Sequence, residues 1–194
     1  MSLPADWRTQ VSRTAAWPDR EESAARPRAA VAIAVSPRHE ILLMRRAEHP
    51  DDPWSGQVSL PGGRVDPGDA TSEAAARRET LEELGVDLGR DATLVGGLEP
   101  LAATARGATL DLQVHPWVYQ LERDVELATN EEVDEGFWLP LGALLAGDLA
   151  HEHVIERAGL VHRRPAWRVG RHVVWGLTHV ILTRFLERVR HGRG

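Results

Sequence analysis

Glu79, Glu82 and Glu83 stand three and four residues apart inside a stretch, ATSEAAARRETLEELGV, with the composition of a helix. Those offsets bring all three side chains to one helical face, about one turn apart. Like charges so spaced destabilise a helix by about 0.2–0.5 kcal/mol per pair, so without a cation the cluster is a liability. Hard carboxylate oxygens gathered this way suit Mg2+ or Mn2+, and such ions commonly hold a substrate diphosphate as well. A solvated acidic face is the other reading of the same residues.

The elements around the cluster favour the first reading. Leu60-Pro61-Gly62-Gly63 reads as a strand ending in a tight turn with its backbone open to a ligand. The spacing predicts a helix that starts near Thr71 or Ser72, both good N-caps, and runs through Ala74, Ala75 and Ala76. Gly85 stands where a C-cap glycine belongs. Arg78, just before the first glutamate, is placed to brace the acidic turn or the glycine loop. Strand, glycine turn and capped acidic helix together would make a compact metal site.

The segment GGRVDPGDATSEAAARRETLEELGV, residues 62–86, resembles the signature of the Nudix hydrolase family. Arg78-Glu79-Thr80-Leu81-Glu82-Glu83-Leu84-Gly85-Val86 fits its second half, with Thr80 in place of an apolar residue. The first half departs: Gly63 lies one residue too far from Arg78, and Asp69 stands where the pattern has Glu. That longer spacing is similar to the coenzyme A pyrophosphatase subgroup. Two further stretches resemble the same subgroup, Ile41 to Ala47 leading into GQVSLPGG, and VWGLTHVIL from Val174 to Leu182. Met44, Leu60 and a longer loop from Glu48 to Ser55, lacking the subgroup's basic residue, are the departures. The resemblance spans roughly residues 30 to 190.

The resemblance implies an α/β fold, an α/β/α sandwich with a mixed central sheet, and one Nudix domain over residues 1–194. It implies that Glu79, Glu82 and Glu83 ligate Mg2+ or Mn2+, with the Gly62 carbonyl as a further ligand, while Arg78 orients the glutamates. It also implies a diphosphatase, with coenzyme A as the leading substrate. Another nucleotide-type diphosphate, and a non-catalytic ligand sensor, are the alternatives. Among Glu131, Glu132 and Glu135 of an acidic loop, Glu132 before Val133 best matches the position of a general base or extra ligand.

Substrate contacts are less sharply marked. One of Arg45 and Arg46 should face the pocket by strand alternation. Trp54 could stack on a base or a pantetheine arm, or simply pack. Arg163, Arg164, Arg168, Arg171 and His172 form a basic stretch suited to a diphosphate or a 3′-phosphate, ordinary surface arginines being the other reading. His151 and His153 read as part of a solvated helix or loop.

Composition removes several alternatives. There is no cysteine, which excludes disulfides, zinc thiolates and a Cys nucleophile. All 23 basic residues are Arg, so no lysine Schiff base or phosphate-binding lysine is available. A net charge of −6 argues against general nucleic-acid binding. No signal-peptide core or long apolar run is visible, so a cytoplasmic protein without membrane contact is expected, with a homodimer compatible.

Along the chain, residues 1–27 read as one amphipathic helix and a linker. Ala29–Val35 and Ile41–Met44 read as a hairpin, Thr93–Leu101 and Leu110–Tyr119 as strands about an Arg106-Gly107 turn, and Phe137–Leu139 as a short strand closed by Pro140. A short helix from Leu141, a hairpin within 161–174, and an amphipathic helix from Leu177 to Val189 complete the pattern. The apolar positions of that last helix are Leu177, Val180, Ile181, Phe185 and Val189.

Overall fold

The computed structural model describes residues 4, 6–13, 27–50, 52, 54–105, 108–157 and 159–191. Its elements are α1 (Trp7–Arg13), β1 (Arg28–Val35), β2 (Glu40–Arg46), β3 (Val58–Ser59), β4 (Gly62–Arg64), α2 (Ser72–Leu84) and α3 (Leu88–Asp91). There follow β5 (Ala92–Gly97), β6 (Leu101–Ala105), β7 (Ala108–Leu121), β8 (Val133–Pro140), α4 (Leu141–Ala146), β9 (Ala150–Arg157), β10 (Leu160–Val169), β11 (His172–Val174) and α5 (Gly176–His191). The main sheet runs β3-β2-β1-β7-β5, with β4 on β1, β6 on β7 and β8 on β2. Among the described residues only β1 and β7 pair in parallel, so the sheet is mixed as expected.

Strand alternation explains how one sheet carries helices on both faces. Along β1, Ala30, Ala32 and Ala34 point to one side, where they meet Ala75, Ala76 and Leu84 of α2. The small side chains let the acidic helix approach the sheet closely. Ile33 and Val35 point to the other side, packing with Phe185, Leu186 and Val189 of α5 and with Trp7 and Val11 of α1. This is the α/β/α sandwich. The start of α2 is tied to β7 by Trp117 Nε1 donating to Ser72 Oγ at 3.2 Å and Tyr119 OH to Glu73 at 2.6 Å.

Several sequence expectations are corrected. Gly62 and Gly63 lie within strand β4, paired with Val31 and Ala30, rather than in a turn after a strand. The stretch expected as one strand from Thr93 to Leu101 is two, β5 and β6, which pair successive stretches of β7 with a break over 98–100. The acidic segment before Phe137 is partly strand, since β8 begins at Val133 and pairs with β2. His151 and His153 lie on strand β9, and the basic stretch lies largely on β10. Val180 is 43% exposed, and the buried stripe of α5 instead uses Leu182 and Leu186 beside Ile181, Phe185 and Val189. The Arg106-Gly107 turn, and the residues 14–26 that follow the N-terminal helix, lie outside the described residues. Among the described residues no helix is long and apolar enough to cross a membrane.

Candidate active site

Helix α2 begins and ends as its sequence predicts. Thr71 accepts the Ala74 amide at 3.0 Å, and Gly85 closes the helix in the left-handed conformation with φ 71°. Thr80, the polar residue at an apolar position, is fully buried and donates its hydroxyl to the Ala76 carbonyl at 2.7 Å. The departure therefore leaves no buried donor unpaired.

The glutamates meet the glycine strand. Glu83, 2% exposed, accepts the Gly62 amide at 2.8 Å, and Arg46 approaches its other oxygen at 3.9 Å. Burial pushes the Glu83 carboxyl up to about 8, against the Gly62 hydrogen bond, with the charges of Glu79 and Glu132 adding to the rise. Glu79 is also raised, first by burial, with Arg78 opposing. Glycine is required at Gly62, whereas at Gly63 a side chain would push Glu79 aside. A Cβ on Gly62, where φ is 146°, would lie 2.1 Å from the Ala30 carbonyl oxygen, and one on Gly63 would lie 2.4 Å from Glu79 Oε1.

Arg78 uses every one of its N–H groups within the protein. Nε and Nη2 donate to Asp69 at 3.1 and 3.0 Å, Nη1 to Glu79 at 2.9 Å and Glu82 at 3.0 Å, and Nη2 also to the Arg64 carbonyl at 3.1 Å. Its pKa is raised further above the arginine range, chiefly by Asp69. Arg78 has no donor left for a substrate and acts as a brace between the glycine strand, the 66–69 turn and the acidic helix. Asp69, from the altered half of the signature, is its principal anchor.

Glu79, Glu82 and Glu83 line a cleft of about 620 Å3 together with Gly62, Gly63, Arg46, Trp54 and Glu132. The opposite wall is apolar, built from Leu112 and Val114 of β7 with Trp175, Leu177 and Ile181 around the start of α5. The residues Gln57 to Leu60 form the side between them, and Thr178 donates to the Val58 carbonyl at 3.1 Å, joining the side to the wall. Residues far apart in the sequence thus converge on one cleft with an acidic end and an apolar end.

The NUDIX domain model matches residues 25–162 of this chain. The chain belongs to the Nudix family. It is similar to the uncharacterized Nudix hydrolase NudL of Yersinia pestis (strain Pestoides F), 32% identical over 170 residues that cover 86% of this chain and 82% of the relative. The MutT protein of Methanosarcina mazei Go1 superposes with a TM-score of 0.54 at 21% identity, over 89% of this chain and 100% of its own. A bifunctional NMN adenylyltransferase/ADP ribose pyrophosphatase of Francisella tularensis gives 0.56 at 16% identity, over 88% of this chain and 43% of its own. Both structures share the fold. The protein is thus a Nudix hydrolase, an enzyme that cleaves phosphoanhydride bonds.

Nudix hydrolases generally use divalent ions such as Mg2+ or Mn2+. Among the described residues no three His, Asp or Glu side chains already converge on one cation position, because Arg78 holds Glu79 and Glu82 while Gly62 holds Glu83. The donor set nonetheless fits such an ion. Its members are all carboxylates, and Glu83 is a nearly fully buried one with a single amide and a distant guanidinium to balance its charge.

The remaining sequence candidates divide clearly. Arg46 faces the cleft, its Nε on Asp52 at 2.7 Å, whereas Arg45 turns outward to Asp134 and Glu48. Trp54 lines the cleft and is pinned by Nε1 donating to the Thr104 carbonyl at 3.0 Å. Glu132 lies at the acidic end, while Glu135 is taken by Arg171 and His172. Arg163, Arg164 and Arg168 do not line the cleft. Arg163 pairs with Glu152, and Arg168 meets His151 at 2.8 Å. Asp52, which fixes both Arg46 and the Trp54 amide, was not singled out from sequence. Its only signal was a position in a loop rich in proline and aspartate.

Proposed function

We propose that this Nudix hydrolase is a divalent-metal-dependent diphosphatase of nucleoside diphosphate derivatives, cleaving coenzyme A to 3′,5′-ADP and 4′-phosphopantetheine. The observation that carries the reading is the lining of the cleft. The two stretches similar to the coenzyme A subgroup, GQVSLPGG and VWGLT, flank the glutamates and are joined by the Thr178 to Val58 hydrogen bond. In this reading Glu79, Glu82 and Glu83 hold the ion, with the Gly62 carbonyl as a further ligand, and Arg78 positions Glu79 and Glu82. A divalent ion bound there supplies charge neutralisation on the diphosphate and acidifies the attacking water. Glu132 takes the proton of that water, Arg46 steadies a diphosphate oxygen, and Trp54 packs against the pantetheine arm or the base. Water adds to one phosphorus, the bridging P–O bond breaks, and each product leaves with one of the two phosphates of the diphosphate. The whole chain works as one Nudix domain in the cytoplasm.

Turnover of coenzyme A, ADP-ribose and diadenosine polyphosphates with Mg2+ and Mn2+, products identified by mass, tests the reading. The expected result is the highest kcat/KM for coenzyme A with the two named products. Robust turnover of another diphosphate beside inert coenzyme A refutes the substrate, and full activity in metal-free buffer refutes the metal.

A further inference from the structure

The three-stranded sheet, ordered β11-β10-β9, sorts its charges by face. The β9–β10 ladder sets His151 opposite Ala166, His153 opposite Arg164 and Ile155 opposite His162. Paired residues share a face, and alternate residues along a strand share it too. His151, His153, His162, Arg164 and Arg168 therefore lie on one side, while Glu152, Glu156 and Arg163 lie on the other. The contacts agree with this assignment: Arg168 meets His151 across the first face, and Arg163 pairs with Glu152 on the second. In a chain of net charge −6, the first face of this ladder carries no carboxylate among the described residues.

This cationic face adjoins the catalytic cleft. Trp175 is a wall of the cleft, and its ring lies 4.6 Å, centroid to centroid, from that of His153. Burial, and then the neighbouring His151, hold His153 below the ordinary histidine range.

We propose that His151, His153, Arg164 and Arg168 form an anion subsite for a phosphate monoester carried by the substrate beyond its scissile diphosphate. Guanidinium forks are strong donors to phosphate oxygens, and a neutral imidazole beside them still offers one ring N–H. The subsite rests on the diphosphatase reading above, in which the group is the 3′-phosphate of coenzyme A. It leaves out Arg163, although Arg163 is next in sequence to Arg164, because strand alternation turns its side chain to the opposite face.

Binding of adenosine 3′,5′-bisphosphate and of 5′-AMP, measured by calorimetry without turnover, tests the subsite. The wild-type protein is expected to favour the bisphosphate by about tenfold or more, the scale of one charge-assisted contact. The double variant Arg164→Gln, Arg168→Gln should lose that preference while keeping its affinity for 5′-AMP, which reports an intact cleft. Arg163→Gln should keep the preference, and the kcat/KM ratio of coenzyme A to dephospho-coenzyme A should follow the same pattern. Equal wild-type affinity for the two nucleotides overturns the proposal, as does an equal loss in Arg163→Gln. A preference that vanishes only in the double variant, beside no turnover of either coenzyme, upholds the subsite and refutes the coenzyme A diphosphatase reading instead.

Discussion

Replacing Asp69 by Asn tests the brace on which the acidic helix depends. The carboxylate is 7% exposed and receives two bonds from Arg78, with the Asp66 amide donating to it at 2.8 Å. Asparagine keeps the shape and one acceptor oxygen, but it loses the charge and one guanidinium bond. A hydrogen bond between charged groups contributes about 1.5–3 kcal/mol. Arg78 is 28% exposed, so water offsets part of the loss, and a destabilisation of about 2 kcal/mol is expected. In a chain of this size that lowers Tm by about 4–8 °C. The pH dependence has a definite sign. Arg78 holds the Asp69 carboxyl below its ordinary value, so its stabilisation is present above the unfolded value of about 3.9 and is lost as pH falls through the lower folded value. Urea unfolding of both proteins at pH 7 and at steps down to pH 3 measures this. The two should differ fully at pH 7 and converge in acid. A difference below about 0.5 kcal/mol at pH 7, the ordinary surface range, refutes the reasoning, as does one of constant size across the series. Activity should fall too, by about 10–100-fold, because a loosened Arg78 no longer sets the positions of Glu79 and Glu82.

Glu82→Gln and Glu83→Gln should each lower kcat by about a hundredfold or more, the cost of losing one preorganised charge-stabilising group, and near-wild-type turnover in both would sink the metal site. Metal-free Glu83→Gln should melt no lower than wild type in a thermal scan, since a buried amide costs less than a buried carboxylate and still accepts the Gly62 amide. Gly63→Ala should lower kcat by more than about tenfold and weaken Mg2+ binding in a calorimetric titration, because the added methyl displaces Glu79. Mg2+ or Mn2+ at ten times its Kd should stabilise the wild-type protein by about 1.4 kcal/mol, and a melting curve indifferent to both ions counts against the carboxylate cage.

Much of the fold was legible because local signals and tertiary packing agree. The Thr71 and Gly85 caps, the alanine-rich face of α2 and the β1–β2 hairpin all appear where residue types require them. The strand boundaries beyond α2 were less legible, because pairing partners decide where a strand ends. Val133 to Glu135 reads as the end of an acidic loop until β2 is placed beside it. The α5 stripe was misassigned at Val180 because a helical repeat allows more than one apolar face, and only packing against the sheet selects one.

The site divides along the same line. The acidic helix is a local object, so its spacing alone puts Glu79, Glu82 and Glu83 on one face, whereas Asp69 as the anchor of Arg78 shows only in the structure. The rest of the cleft lining comes from segments far apart in sequence, and there adjacency misleads. Arg45 and Arg46 are neighbours, yet one faces Asp134 and the other the cleft. Arg163 and Arg164 are neighbours, yet the ladder sends one to Glu152 and the other to the face of His153. A run of arginines read from sequence is a single basic patch. Once β10 is extended, the period of two splits it, leaving one half paired with glutamate and the other on the face of His151 and His153 beside the cleft.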